Sequence, residues 1–234
     1  MARKPALARW LLLGTALAVV ASGCGGGSAG ATVPATAPPS VRVPDFTHVV
    51  LVVFENHEAD SIVGSPAAPT FNALARRYAR MTNYTAVAHP SLPNYLALVS
   101  GSTQGITSDC IDCIVRARSL ADTLAATGRT WKTYAEDLPS PGFTGGSLRA
   151  HVVPLLHSPE LRGGVVFVVF DEGTSDEGGG GRIDALALGT VVRHGSRFSK
   201  ATNHYGLLRT IEDAWRLPRL GYSSNGTPIG GIWK

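Results

Sequence analysis

THVVLVVF at residues 47–54 and VVFVVF at residues 165–170 are the two stretches that decide the fold. Each is a nearly continuous run of β-branched and aromatic side chains, the composition of a strand covered on both faces. Strands of this kind belong to sheets sandwiched between helices. Working outward, Phe71, Leu74, Ala75 and Tyr78 recur at helical spacing while Arg76, Arg77 and Arg80 project elsewhere, which predicts an amphipathic helix after the first strand. Residues 92–99 predict a helix that begins at Ser91 and stops at Ser100-Gly101, and residues 120–126 a third that ends at Gly128. Leu207, Leu208, Ile211 and Trp215 mark a helix over 204–215, ended before Pro218. Residues 130–135 and 183–192 read as further strands. Strands alternating with helices predict the α/β class, with a mostly parallel central sheet flanked by helices.

The N-terminal residues read differently. A cationic start, the apolar stretch 10–21 and small residues ending at Cys24 form an export signal over 1–23, too short and too soon followed by glycines for a membrane span. Ala21-Ser22-Gly23-Cys24 resembles a bacterial lipobox, so Cys24 is the expected lipidation site, with simple secretion as the alternative. Residues 24–44 are mostly Gly, Ala, Ser and Pro and predict a disordered tether, leaving 45–234 as one catalytic domain. Of the formal charge of +4, three positive charges (Arg3, Lys4, Arg9) sit in the leader, leaving +1. No Lys/Arg stripe remains to neutralise a nucleic-acid backbone, so nucleic acid is excluded as a partner, and a monomer is expected. Cys110 and Cys113 are the remaining cysteines. In an oxidising compartment a small disulfide loop is the first reading, because zinc needs two further ligands; a redox-active pair is the sharper alternative.

Both apolar strands run into acidic residues, Glu55-Asn56 after the first and Asp171-Glu172 after the second. Ligands of open α/β sheets bind at the carboxyl ends of strands, so these clusters are placed to converge. Converging carboxylates repel one another unless a cation is present, and a hard divalent metal with oxygen ligands answers that requirement. The bland alternative is that each cluster caps a helix or meets solvent. In the segment His89-Pro90-Ser91-Leu92-Pro93-Asn94-Tyr95, Pro93 fits the first turn of a helix, which puts Ser91 near a helix N-terminus where backbone N–H groups favour an anion. Taken alone, Ser91 would be an ordinary N-cap. The acidic Asp176-Glu177, followed by four glycines, reads as a solvated mobile loop, and His57 as facing solvent.

Together, Glu55-Asn56, residues 89–95, Asp171-Glu172-Gly173 and Asn203-His204-Tyr205 with the following Leu208 to Asp213 resemble the phosphoesterase family of bacterial acid phosphatases and phospholipases C. Tyr134-Ala135-Glu136-Asp137 matches a further stretch of that family. The resemblance implies an alkaline phosphatase-like fold and an exported hydrolase of phosphate monoesters acting through a phosphoserine on Ser91. It implies a divalent metal ion held by Glu55, Asn56, Ser91, Asp171 and Glu172, and Asn56 and Asn94 as substrate-binding amides. His204, and after it His89, are the histidines expected to meet the phosphoryl group or leaving oxygen, because histidine can hold a proton at mildly acidic pH. Phosphoinositides or phospholipids are among the implied substrates, and a lipid on Cys24 would supply the membrane contact. The family carries a long insert between the segments matching 139–146 and 151–158, with further histidine and aspartate motifs, and this chain lacks it. Part of the usual domain is therefore expected to be missing. A phospholipase C-like phosphodiesterase and a noncatalytic surface-tethered phosphate- or metal-binding protein are the competing readings.

Overall fold

The computed structural model describes residues 41–134 and 148–234. The export signal, Cys24, nearly all of the tether, Ala135 to Asp137 of the family match and residues 139–146 bordering the missing insert lie outside the described residues. The chain forms β1 (Val49–Phe54), α1 (Ala59–Ile62), α2 (Pro69–Arg77), β2 (Ala79–Thr85), α3 (Ser91–Ser100), α4 (Leu120–Ala126) and α5 (Leu148–His157). It continues through β3 (Val165–Phe170), β4 (Arg182–Leu188), β5 (Arg197–Phe198), β6 (Thr202–Asn203) and α6 (His204–Trp215).

These elements make an α/β fold around one six-stranded sheet of order β1-β3-β4-β2-β5, with β6 also pairing β2. The sheet is mixed. β1 and β3 run parallel, as do β5 and β6 with β2, whereas β4 is antiparallel to both β3 and β2. Two successive antiparallel pairings restore the direction, so β1, β3 and β2 all deliver their carboxyl ends to one edge. That edge carries the candidate site.

Every residue of β3 is buried, as its apolar run predicts. β1 is only half-buried along its length, because it stands at the end of the strand order with β3 as its one neighbour. A continuous β-branched run reports that both faces are covered, but it does not report a central place in the sheet. Beneath the sheet Phe46, Phe167 and Trp233 pack edge to face, with Phe46 and Trp233 centroids 5.2 Å apart, and Trp215 Nε1 donates to the Phe46 carbonyl at 2.6 Å. α6 spans the residues that the leucine spacing predicts, its N-terminus capped by Asn203 accepting from Tyr205 N–H at 3.1 Å. Residues 130–134 form no strand, which corrects the expectation for that segment. β2 has no counterpart in the sequence reading, because ARMTNYT mixes polar side chains with few large apolar ones.

Candidate active site

Ser91 is the first residue of α3, reached by a short loop from the carboxyl end of β2. Its Oγ lies 3.0 Å from Glu172 Oε1 and 3.2 Å from Glu55 Oε2, so two carboxylates from the ends of β3 and β1 face one hydroxyl proton. Asp171, next to Glu172 and fully buried, accepts from the Asn56 backbone N–H through Oδ1 at 2.9 Å. Its Oδ2 is buried with no hydrogen-bond partner. Asn56 itself adopts a left-handed φ of 50°, which turns that N–H inward, and its side-chain amide donates to Glu55 Oε2 at 3.0 Å. Glu55 and Glu172, at the ends of strands remote in sequence, therefore both reach Ser91 Oγ, while Asp171 stands behind them on the Asn56 N–H.

His89 stands beside them. Its Nδ1 lies 2.5 Å from Glu172 Oε2 and its Nε2 lies 2.9 Å from the Ser175 carbonyl. Two oxygens facing the two ring nitrogens favour the doubly protonated ring, in which each nitrogen donates. The Ser175 carbonyl, and after it the Glu172 carboxylate, raise its pKa above the ordinary histidine value against the opposing effect of desolvation. The Asp176 carboxylate, 3.9 Å away, adds to this.

Two expectations are corrected. His204 does not face the site: it is fully buried, its Nε2–H donates to the Asp171 carbonyl at 2.6 Å, and its Nδ1 accepts from the Tyr84 hydroxyl at 3.1 Å. Burial pushes its pKa down to about 4, so it is neutral under mildly acidic conditions and carries no proton for a leaving group. Its place is to fix the Asp171 backbone. Asn94 is likewise fully buried and does not face the site. Its Oδ1 accepts from Val87 and Ala88 N–H while its amide donates to the Ala88 and Pro90 carbonyls, so it clamps the loop that carries His89.

The anion cradle at the start of α3 is also partly filled, because Asp109 Oδ1 accepts from Leu92 N–H at 2.8 Å. Asp109 lies beside a Cys110–Cys113 disulfide whose Cα atoms are 5.7 Å apart. The segment from Asp176 through the glycines is not a free loop: the backbones of Gly179 and Gly180 lie against those of Val87 and Ala88 so closely that any Cβ there would collide. That contact brings Ser175 to His89. His57 is exposed, as expected, with Nδ1 2.8 Å from the Glu55 carbonyl.

Three residues were missed. Tyr95 donates its hydroxyl to Glu55 Oε1, and burial, then that carboxylate, push the phenol well above its ordinary pKa, so it stays a donor. Its spacing of four from Ser91 was the available signal, since it puts both on one helix face. Glu58 accepts from Thr174 N–H at 2.8 Å, Ser175 Oγ at 2.5 Å and Arg182 N–H at 3.1 Å, which ties the loop after β3 to the end of β1. Burial works to raise its pKa, yet these hydrogen bonds together hold it below the usual carboxylate value. Asp109 had no signal beyond its neighbouring cysteines.

No Arg or Lys among the described residues pairs with Glu55, Asp171 or Glu172. Nor, among the described residues, do three His, Cys, Asp or Glu side chains stand in a ready-made ligand cluster there. What fits a cation is the donor chemistry: a buried carboxylate oxygen without a partner, and two further carboxylates turned to one hydroxyl.

A model of the phosphoesterase family matches residues 65–149, taking in Ser91. A phosphatidylinositol-3-phosphatase of Mycobacterium tuberculosis is 30% identical over 256 aligned positions, covering 82% of this chain and 84% of that protein. The alignment is longer than the 234-residue chain itself, so that relative carries residues this chain lacks. An acid phosphatase of Aspergillus fumigatus is 42% identical over 73 residues, covering 31% of this chain and 16% of that protein. A probable acid phosphatase of Kluyveromyces lactis is 32% identical over 119 residues, covering 50% of this chain and 28% of that protein.

Proposed function

Because this chain belongs to the phosphoesterase family, we propose that its hydrolase activity acts on phosphate monoesters, phosphoinositides among them, with Ser91 as the nucleophile. The observation that carries this reading is the position of Ser91 Oγ between Glu172 Oε1 at 3.0 Å and Glu55 Oε2 at 3.2 Å. One of these carboxylates takes the hydroxyl proton as Oγ bonds to phosphorus, and the bond from phosphorus to the leaving oxygen breaks, the leaving oxygen taking a proton from solvent to depart as the alcohol. Asn56 has a second amide N–H to offer a non-bridging oxygen. His89, held as a cation by Ser175 and Glu172, keeps Glu172 oriented and sets positive charge near the phosphoryl group. Water then cleaves the phosphoserine and restores the Ser91 hydroxyl.

Glu55, Asp171 and Glu172 would hold a hard divalent cation, with the Asp171 oxygen that lacks any protein partner as one donor. When bound, such a cation supplies positive charge that favours the ionised serine and screens the phosphate from the acids around it. The export signal read over residues 1–23, with Cys24 directly after it, supports an exported enzyme, lipid-anchored or secreted.

The test is hydrolysis of an aryl phosphate by the full chain, with and without chelator. Turnover is expected to be lost on chelation, to return with added divalent cation, and to fall by about 10³-fold or more in Ser91→Ala. Undiminished turnover in that variant would remove Ser91 from the role.

A further inference from the structure

The disulfide loop beside Ser91 carries the two most exposed large aliphatic side chains of the described residues. Ile111 has a relative exposure of 102% and Ile114 of 78%, so neither packs to any extent against the chain. Leaving two isoleucines in water is unfavourable, and single scattered apolar residues need no explanation. Here the two are not scattered: they sit at and just past the Cys110–Cys113 bridge, where a closed cross-link limits their retreat into the fold. The same loop is tied to the nucleophile, because Asp109 Oδ1 accepts from Leu92 N–H at 2.8 Å, one residue after Ser91. Arg116 and Arg118, both exposed, follow directly. The loop thus presents two apolar side chains with the exposed Asp112 between them and two arginines behind them.

We propose that this loop is an interfacial anchor that seats the active site on an anionic lipid surface, Ile111 and Ile114 entering the headgroup boundary and Arg116 and Arg118 meeting lipid phosphates. Among the described residues no helix is long and apolar enough to cross a membrane. The loop has two apolar side chains for the headgroup boundary and two arginines on its C-terminal side for lipid phosphates, against the opposing charge of the exposed Asp112 between the isoleucines, so apolar burial carries most of the binding. A protein partner would more commonly be met by a broad packed patch than by two side chains on a tight loop. The anchor deepens the phosphate-ester reading, on which it rests only for turnover; lipid binding stands or falls separately.

The experiment uses the full chain in Ile111→Trp, with vesicles of phosphatidylcholine and phosphatidylserine whose acyl chains are brominated. Expected is a blue shift and quenching beyond those of the wild type, whose own tryptophans supply the background. In parallel, Ile111→Ser/Ile114→Ser is expected to lower hydrolysis of a vesicle-borne phosphoinositide about tenfold while leaving an aryl phosphate in solution unaffected. Arg116→Ala/Arg118→Ala is expected to weaken binding to anionic vesicles about fivefold per arginine, and less at high salt. Absence of excess quenching with vesicle turnover unchanged in the double serine variant overturns the anchor. So does emission from the introduced tryptophan that is already blue-shifted without vesicles and unmoved by them, which would mean that protein covers the loop. A chain inactive on both substrates yet quenched by brominated lipid keeps the anchor and removes the phosphatase reading.

Discussion

Asp171 and Glu212 are both carboxylates shut away from solvent, and the fold treats them in opposite ways. Glu212, in the middle of α6, is surrounded by donors: Leu220 N–H at 2.9 Å on Oε1, and Ser223 Oγ at 2.6 Å with Arg219 Nη1 at 3.5 Å on Oε2. It fastens the last helix to the turn that follows. Asp171 has one oxygen on Asn56 N–H and the other on nothing, with Glu172 beside it and Glu55 on the same hydroxyl. A buried polar atom left without a partner is costly, and folds rarely leave one without a reason. Glu212 is satisfied by the chain, whereas Asp171 keeps one oxygen that no described residue meets, as the proposed cation site requires.

The sharpest way to break that contrast is to neutralise one acid of each kind. Asp171→Asn is expected to lower kcat/KM on an aryl phosphate by about 10³-fold while moving the urea midpoint little, because the substitution removes a charge that the native fold does not compensate. Glu212→Ala is expected to do the reverse. Three donors lose their acceptor, which costs about 3 kcal/mol of stability, with kcat/KM of the folded fraction retained. If the two variants were alike in either assay, the division between structural and functional acids would not stand.

His204 lies on the border between the two groups and gives the next test. It is buried like a structural residue, yet it bonds the carbonyl of Asp171. In His204→Leu the Asp171 carbonyl and the Tyr84 hydroxyl both lose a partner, so a stability loss of about 2 kcal/mol is expected. A fall in kcat without a comparable change in KM would accompany it, since the substrate is not touched. Thermal unfolding and steady-state kinetics on the same preparation separate these effects.

What the sequence made legible follows from the kind of signal each part sends. β1 and β3 were readable because a dense apolar run has few other uses, and their acidic ends were readable because strand ends are where open sheets bind ligands. β2 was not, since its polar residues alternate only loosely and its pairing with β4, β5 and β6 is decided by parts of the chain a hundred residues away. Ser91 and the carboxylates that face it could be named from local motifs. The roles of His204 and Asn94 could not, because residue type suggests chemistry whereas burial assigns it, and burial is a property of the finished fold. Glu58 shows the same limit from the other side. Its three hydrogen bonds all reach residues more than a hundred positions away, so nothing near it in sequence marks it as a clamp.

The smallest effect concerns a third buried acid, Asp184, which has a partner and still pays for its place. Arg80 Nε meets its two oxygens at 3.0 and 2.7 Å, yet burial outweighs that attraction and raises the pKa from 3.8 to about 6. A folded-state pKa above the unfolded one means that the folded protein binds the proton more tightly. The stabilisation is fully present below pH 3.8 and is lost as pH rises through about 6. On this account the Asp184 contribution falls by about 1 kcal/mol from about pH 5 to about pH 7. His204 slopes the other way, because its pKa is lowered from 6.5 to about 4 and its stabilisation is lost as pH falls through that window. The total curve therefore hides Asp184, and the useful quantity is the difference in urea-derived stability between Asp184→Asn and the wild type across the pH series. That difference should change with pH in the variant's favour on going from about pH 5 to about pH 7, by about the amount given for the acid. A difference independent of pH would mean that Arg80 compensates Asp184 in full.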